Sequence, residues 1–423
     1  MRSRPRWPRP VARRGSARTC ARSSCCARPP RLRTLRPRRD RCPRGWLTSG
    51  GRARRAGDTE EDRVEAEAVR LETEPPYDVS TLDGDPSGLP LVVRPAGEPS
   101  LNRLCGWLEA NAAWVQAHIA RHGAILFRGF AVDSAEDFER LARAIDDDLK
   151  NEYLGTSPRD ALTKYVFSAS ELPPVYPIPQ HCEMSFVKDP PRRLFFSCLL
   201  EPQPGGGETP LVDYRKVWRD MDPVVRQRFV DGGIRIVRNY AGPAGGSKLD
   251  LWKLKRWDEM FLTTDKDAVE AKCRAQGFEP IWTENDGLRI VSTQPVFRDH
   301  PLTGERVWHN HTATFHLSAA PGEYQRIHAL RPTLKNFALL QFARAMVALQ
   351  RATRGSDEQS MHCTYVDGTE IPDADMEHVR DVTWRHLVVN PWRLGDVVAI
   401  DNHSVAHGRL PYVGPRRIAV CWA

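Results

Sequence analysis

No run of eighteen apolar residues occurs anywhere in this 423-residue chain, so no stretch of it reads as a bilayer-spanning helix. No internal repeat and no coiled-coil heptad recurs, which sets solenoid and fibrous designs aside. Cysteine is present but uninformative: the six beyond residue 100, at 105, 182, 198, 273, 363 and 421, show no C-x-x-C spacing. Neither a zinc knuckle nor a disulfide framework is indicated, and reduced thiols of a cytosolic or organellar interior are expected. Acids are almost missing from the first 57 positions, where nineteen Arg face Asp40 alone for a charge of +18. Since the whole chain carries +8, the remainder carries −10, and the case for a nucleic-acid partner is confined to the leader.

That leader, residues 1–57, is built from Arg, Pro, Ser and Ala with Cys20, Cys25, Cys26 and Cys42, and lacks the apolar periodicity a core needs. A disordered segment is expected. Its acid-poor, Arg-rich character fits an organelle transit peptide, although its prolines and weak amphipathicity speak against a mitochondrial one. A functionless upstream extension and a tail for anionic surfaces are the other readings. Residues 58–100 read as a linker or edge segment, and 101–423 as one domain, in a chain whose 40% hydrophobic residues can supply a core.

The chemistry gathers at Ile178-Pro-Gln-His181-Cys-Glu183-Met-Ser-Phe, which reads as a strand. Side chains two apart on a strand share a face, so His181 and Glu183 converge while Cys182 turns away. A 2-His-1-carboxylate centre needs one further imidazole and leaves the opposite side of a six-coordinate ion open. Asp401-Asn-His403-Ser-Val-Ala-His407-Gly-Arg409 offers two, four residues apart. Arg416 and Arg417 follow, neighbours of which only one can face inward on a strand. A guanidinium fork there suits the distal carboxylate of 2-oxoglutarate, and Thr209, in Gly205-Gly-Gly-Glu-Thr-Pro, offers a hydroxyl for the same group.

With these pieces and Gly123-Ala-Ile-Leu-Phe-Arg128-Gly-Phe, Leu194-Phe-Phe and Val307-Trp-His-Asn310, the chain resembles the TauD/TfdA-like dioxygenases, particularly their clavaminate-synthase-like branch, over roughly residues 100 to 423. The resemblance implies an α+β fold with a mainly β core, a double-stranded β-helix or jelly roll with flanking helices. It implies Fe(2+) held by His181, Glu183 and His407, 2-oxoglutarate bound by Thr209 and Arg417, and O2 as oxidant. The product side would be succinate, CO2 and a hydroxylated small polar or anionic substrate. Related halogenases lack the carboxylate ligand, so Glu183 argues for oxygenation. Two other classes stay open: an inert cupin-like metal-binding or sensor protein, and a zinc hydrolase, which has no use for Thr209 or Arg417.

Around these motifs the pattern predicts a helix from Ser100 to Gly123, a buried strand at 124–128, a helix from Ser134, a core strand at 194–200 and a strand from 234 to 240. Residues 213–229 and 373–384 read as helices, and 324–354 as one helix built on Phe337, Leu340, Phe342 and Met346. Residues 241–290 look like an insertion or lid near the substrate mouth. Glu208 is expected to face solvent. Residues 307–316 read as a strand whose His309 and His311 form a decoy pair without a carboxylate, and Arg128, Arg159, Asn310 and Arg409 are places for polar recognition.

Overall fold

The computed structural model describes residues 75–82, 88–152, 159–170, 172–245 and 256–423; the Arg-rich leader and its targeting readings lie outside these residues. In chain order come β1 (Tyr77–Thr81), β2 (Leu91–Pro95), α1 (Leu101–Ala110), α2 (Ala112–His122), β3 (Ala124–Phe127), α3 (Ala135–Ile145), β4 (Phe167–Ser168), β5 (Ile178–His181), β6 (Arg193–Leu200) and β7 (Leu211–Asp213). Helices α4 (Tyr214–Asp220) and α5 (Pro223–Gly232) lead to β8 (Ile234–Tyr240), α6 (Trp257–Phe261), α7 (Lys266–Ala275), β9 (Glu279–Thr283), β10 (Gly287–Gln294), β11 (Arg298–Asp299) and β12 (Arg306–Val307). The rest is α8 (Thr312–Phe315), α9 (Ala319–Leu330), α10 (Leu334–Thr353), β13 (Met361–Thr364), α11 (Asp373–Arg385), β14 (Val397–Asp401), β15 (Val405–Arg409) and β16 (Arg417–Trp422).

The near-continuous apolar runs of β6, β14 and β16 put a large sheet, ordered β1-β2-β3-β14-β6-β16-β4, at the centre with both faces covered. Leu194, Phe196, Val398, Ile400, Ile418 and Val420 turn to an inner core shared with β7, β8, β10 and β15. Phe195, Val397, Ala399, Ala419 and Cys421 turn the other way, onto Leu104, Leu108, Ile119, Phe138 and Leu141 of α1–α3. The helices start where expected because Ser100 and Ser134 each accept a backbone N–H of the first turn, but the stretch from Ser100 to Gly123 holds two helices that meet at Asn111 rather than one. Facing the inner core are the small sheet β5-β15-β7 and the four-stranded sheet β13-β8-β10-β9, which complete the jelly roll. Among the described residues no helix is long and apolar enough to cross a membrane.

Several expectations are corrected. Residues 213–229 hold two helices, because Asp222 caps a new one with Pro223 in its first turn. The 324–354 stretch is also broken: Pro332 cannot continue α9, Thr333 caps α10, and Phe337 and Phe342 are exposed while only Leu340 and Ala343 of α10 are buried. In 241–290, β9 and β10 belong to the four-stranded sheet, and Trp257, Phe261, Leu288 and Ile290 join the inner core, so this part of the stretch is built into the fold; residues 246–255 lie outside the described ones. The 307–316 strand stops at Val307, since Asn310 Oδ1 accepts both the backbone N–H and the hydroxyl of Thr312 and turns the chain into α8. Arg128 is structural: it is buried and pairs twice with Asp396, at 2.9 and 2.5 Å, tying β3 to the turn before β14.

Candidate metal centre and co-substrate pocket

His181 and His407 are direct cross-strand partners in the antiparallel pairing of β5 with β15, which brings their rings to 4.4 Å between centroids. Glu183 joins them differently from the strand-parity reading. The strand ends at His181, and Glu183 lies in the turn after it, just before Met184, whose φ is +51°. Asn402 aims this turn: its side-chain oxygen accepts Glu183 N–H at 2.7 Å, and its amide donates to the carbonyls of Glu183 and Pro191 at 2.9 and 2.7 Å. Glu183 Oε2 then stands 3.5 Å from His407 Nε2 and 4.0 Å from His181 Nε2, with all three ligand atoms within 4.8 Å of one another. Cys182 points away into the inner core, as its parity requires.

The protonation states favour a cation. His181 Nδ1 is 2.9 Å from the Pro179 carbonyl, the arrangement that leaves Nε2 with its lone pair toward the site. Burial, aided by His407, pushes the His181 pKa down to about 4. Burial alone would raise Glu183, but the Arg159 guanidinium at 3.1 Å, a hydrogen bond from His407 and the field of His181 outweigh it and hold the carboxyl well below its usual range. A neutral His181 imidazole, the His407 imidazole and one carboxylate anion therefore meet in a buried space. Beneath them, Asp401 accepts from Ser404 Oγ at 2.6 Å and pairs with His300 Nε2 at 2.7 Å and Arg193 at 3.3 Å, which stiffens the turn from β14 to β15.

Thr209 lies two residues before the partner of His407 on β7, roughly 7 Å along the ladder. Its Oγ1 accepts from Trp392 Nε1 at 3.2 Å and from Arg416 at 3.3 Å. Arg416, not Arg417, reaches it. Arg417 opens β16 with its side chain exposed, whereas Arg416 is drawn in, donates Nε–H to the Gly207 carbonyl at 2.8 Å and lies over the Tyr412 ring. Burial, with Arg409 nearby, pushes its pKa down to about 10, so it stays cationic at neutral pH. Among the described residues no carboxylate is in ion-pair range of it. Glu208, expected in solvent, is buried, with Arg331 3.7 Å from one of its oxygens. Gly206 supplies the close approach of this loop, since a Cβ there would strike the Pro411 carbonyl.

The remaining candidates separate cleanly. His403 is outside the triad, its ring 6.0 Å from His300 and 6.4 Å from His309. His309 is buried, and burial pushes its pKa down to about 3. His311 is bonded to Ser185 Oγ at 2.7 Å and packs its ring 4.9 Å from that of His181. Asn310 is spent on the turn, and Arg409 clamps the carbonyls of Leu172, Pro173 and Tyr176. Only Arg159 of the four recognition candidates touches the triad. Asn402 and Trp392 were missed: the Asp401-Asn402 pair is visible in the sequence, but nothing local says that the amide reaches across 219 positions.

A jelly roll whose inner wall brings two imidazoles and a carboxylate together defines the class of non-haem iron oxygenases that use 2-oxoglutarate. The model of the taurine catabolism dioxygenase TauD, TfdA family matches residues 90–422. The chain is 30% identical over 323 residues to a clavaminate synthase-like protein of Arabidopsis thaliana, covering 74% of this chain and 84% of that protein. It is 28% identical over 302 residues to the dapdiamide synthesis protein DdaC of Enterobacter agglomerans, covering 71% and 82%. Among solved structures, PvcB, an Fe, alpha-ketoglutarate dependent oxygenase from an isonitrile synthetic pathway, matches at 14% identity over 83% of this chain and 92% of that one, with a TM-score of 0.44. A taurine dioxygenase from Burkholderia xenovorans matches at 15% identity over 82% and 89%, also at 0.44. The chain belongs to the TauD/TfdA family and is a Fe(II)- and 2-oxoglutarate-dependent dioxygenase that consumes O2.

Proposed function

We propose that His181, Glu183 and His407 hold the ferrous ion, that Thr209 and Arg416 hold the distal carboxylate of 2-oxoglutarate, and that the enzyme hydroxylates a small polar or anionic molecule. The observation that carries this reading is the convergence of the three ligand atoms in a buried space. The donor set fits the metal: cis donors about 2.1 Å from an ion stand about 3 Å apart, and separations of 3.5 and 4.0 Å need only a small contraction. The co-substrate fits too, because a half-buried guanidinium with no carboxylate partner among the described residues, beside a threonine hydroxyl, is a receptor for one.

When bound, ferrous iron supplies the redox chemistry that turns 2-oxoglutarate and O2 into succinate and CO2 while one oxygen atom enters a substrate C–H bond. The chain's own residues do the rest. Asn402 holds the Glu183 turn so that the carboxylate meets both imidazoles. Pro179 fixes the His181 tautomer. Arg416 neutralises the co-substrate and sets its direction, and Trp392 orients the Thr209 hydroxyl. Arg159, a cation at the carboxylate ligand, supports an anionic substrate.

The test is succinate release from 2-oxoglutarate with ferrous iron and ascorbate, first without substrate and then with a panel of small acids and amino acids. Stimulated release by an acid is expected; no release under any condition would sink the reading. Asn402→Ala is expected to weaken ferrous binding by roughly 10–100-fold, as loss of an outer-shell partner does, measured by metal titration.

A further inference from the structure

β8 carries a side chain that the inner core should not tolerate. Ile234, Ile236, Arg238 and Tyr240 share one face of the strand, and the apolar residues among them lie in the core. Arg238 is fully buried, none of its three guanidinium nitrogens makes a well-formed hydrogen bond, and the polar group within its reach is the Tyr240 hydroxyl. Its carbon sits 4.5 Å from the Phe186 ring centre and 4.8 Å from that of Phe278. Stacking on two rings offsets part of the cost of taking a cation out of water, but it satisfies no N–H. No counter-charge is found among the described residues. Its titratable neighbours Tyr240 and Cys273 are neutral, because burial pushes both pKa values up, that of Cys273 to about 11.

The same sheet face holds further unmatched polar groups. Ser292 and Gln294 of β10 share a face with Ile290, the direct partner of Arg238, and the Ser292 hydroxyl and both ends of the Gln294 amide are buried without a partner. Buried polar groups in native proteins are normally paired, so a cluster left open on one face marks a missing ligand. The Phe186 ring, one of the two against Arg238, links this face to the metal centre through His311. Phe186 follows Glu183 by three residues, and its ring is 5.0 Å from His311, which is 4.9 Å from His181. The co-substrate is accounted for elsewhere, since its distal carboxylate is assigned to Arg416.

We infer that Arg238 is the receptor for the anionic group of the substrate, a carboxylate or a sulfonate, with the apolar body of the molecule against Phe186 and its reactive C–H at the His181–Glu183–His407 centre. This rests on the reading of that triad as the iron site. The substrate class is then an organic acid whose oxidised carbon lies several bonds from its charge, with hydrogen-bonding groups that Ser292 and Gln294 can meet.

Thermal unfolding of the protein loaded with Mn(II) and saturating 2-oxoglutarate, which blocks the Arg416 site and turnover, tests this. Propionate and methanesulfonate are expected to raise the midpoint and neutral propionamide to leave it unchanged, and the larger of the two anion shifts assigns the class. Arg238→Met should lose the shift, and its own midpoint should equal or exceed that of the wild type, because an uncompensated buried charge has been removed. For the acid that best stimulates succinate release, KM should rise roughly 100-fold or more. An anion shift that survives in Arg238→Met and Arg238→Lys overturns the inference. Absence of succinate release in the wild type would instead sink the iron reading and leave the anion shift to be judged by itself.

Discussion

Alanine at His181, Glu183 or His407 is expected to remove stoichiometric ferrous iron and to cut succinate formation by more than about 100-fold, beyond the range for an outer-shell partner such as Asn402. Metal content after desalting and succinate yield are the two measurements. A metal needs neutral imidazoles and an ionised carboxylate, and the site already holds His181 neutral and Glu183 ionised before any ion arrives. The site is preorganised: two ligands are locked by cross-strand pairing, and the turn that carries the third by Asn402, which accepts from Glu183 N–H and donates to the Glu183 and Pro191 carbonyls. Removing one ligand leaves an ion with two protein donors, and no nearby residue replaces it. Alanine at His403 or His309 should leave iron content intact, since neither belongs to the converging set. If His403→Ala loses iron while His407→Ala keeps it, the assignment fails.

The fold was legible where one physical signal acted alone. Ser100 and Ser134 cap helices that apolar periodicity had marked, and the apolar runs at 194–200 and 397–401 could only be strands covered on both faces. Legibility failed where a side chain from far along the chain decides local geometry. His181 and Glu183 were paired through strand parity, yet the strand stops between them and Asn402 does the aiming. The alternation around His309 and His311 imitates a strand, and a turn made by Asn310 ends it. Arg238 carried a readable signal that went unused: a charged residue at the buried parity of a strand whose neighbours Ile234, Ile236 and Tyr240 all face the core.

Arg416→Ala is expected to raise the KM for 2-oxoglutarate by roughly 100-fold or more, while Arg417→Ala changes it less than about threefold. The two residues are adjacent, so spacing from His407 cannot choose between them, and the resemblance favoured Arg417 at ten residues. The structure turns the choice on where β16 begins. Its register against β6 shifts between Arg417 and Ile418, so parity counted back from the buried Ile418 does not carry through to Arg417. Arg417 is left at an exposed strand end, and Arg416, just before the strand, folds back over Tyr412 onto the Gly207 carbonyl and Thr209. A carboxylate arriving there gains charge-assisted hydrogen bonds in a place where the cation is already desolvated, which is why truncation should cost far more than at a solvated rim. Arg416→Lys keeps the charge but loses the fork and the Gly207 contact, and should fall between wild type and alanine. Initial rates of succinate formation against 2-oxoglutarate concentration separate the variants. A large rise with Arg417→Ala and none with Arg416→Ala would return the carboxylate to Arg417.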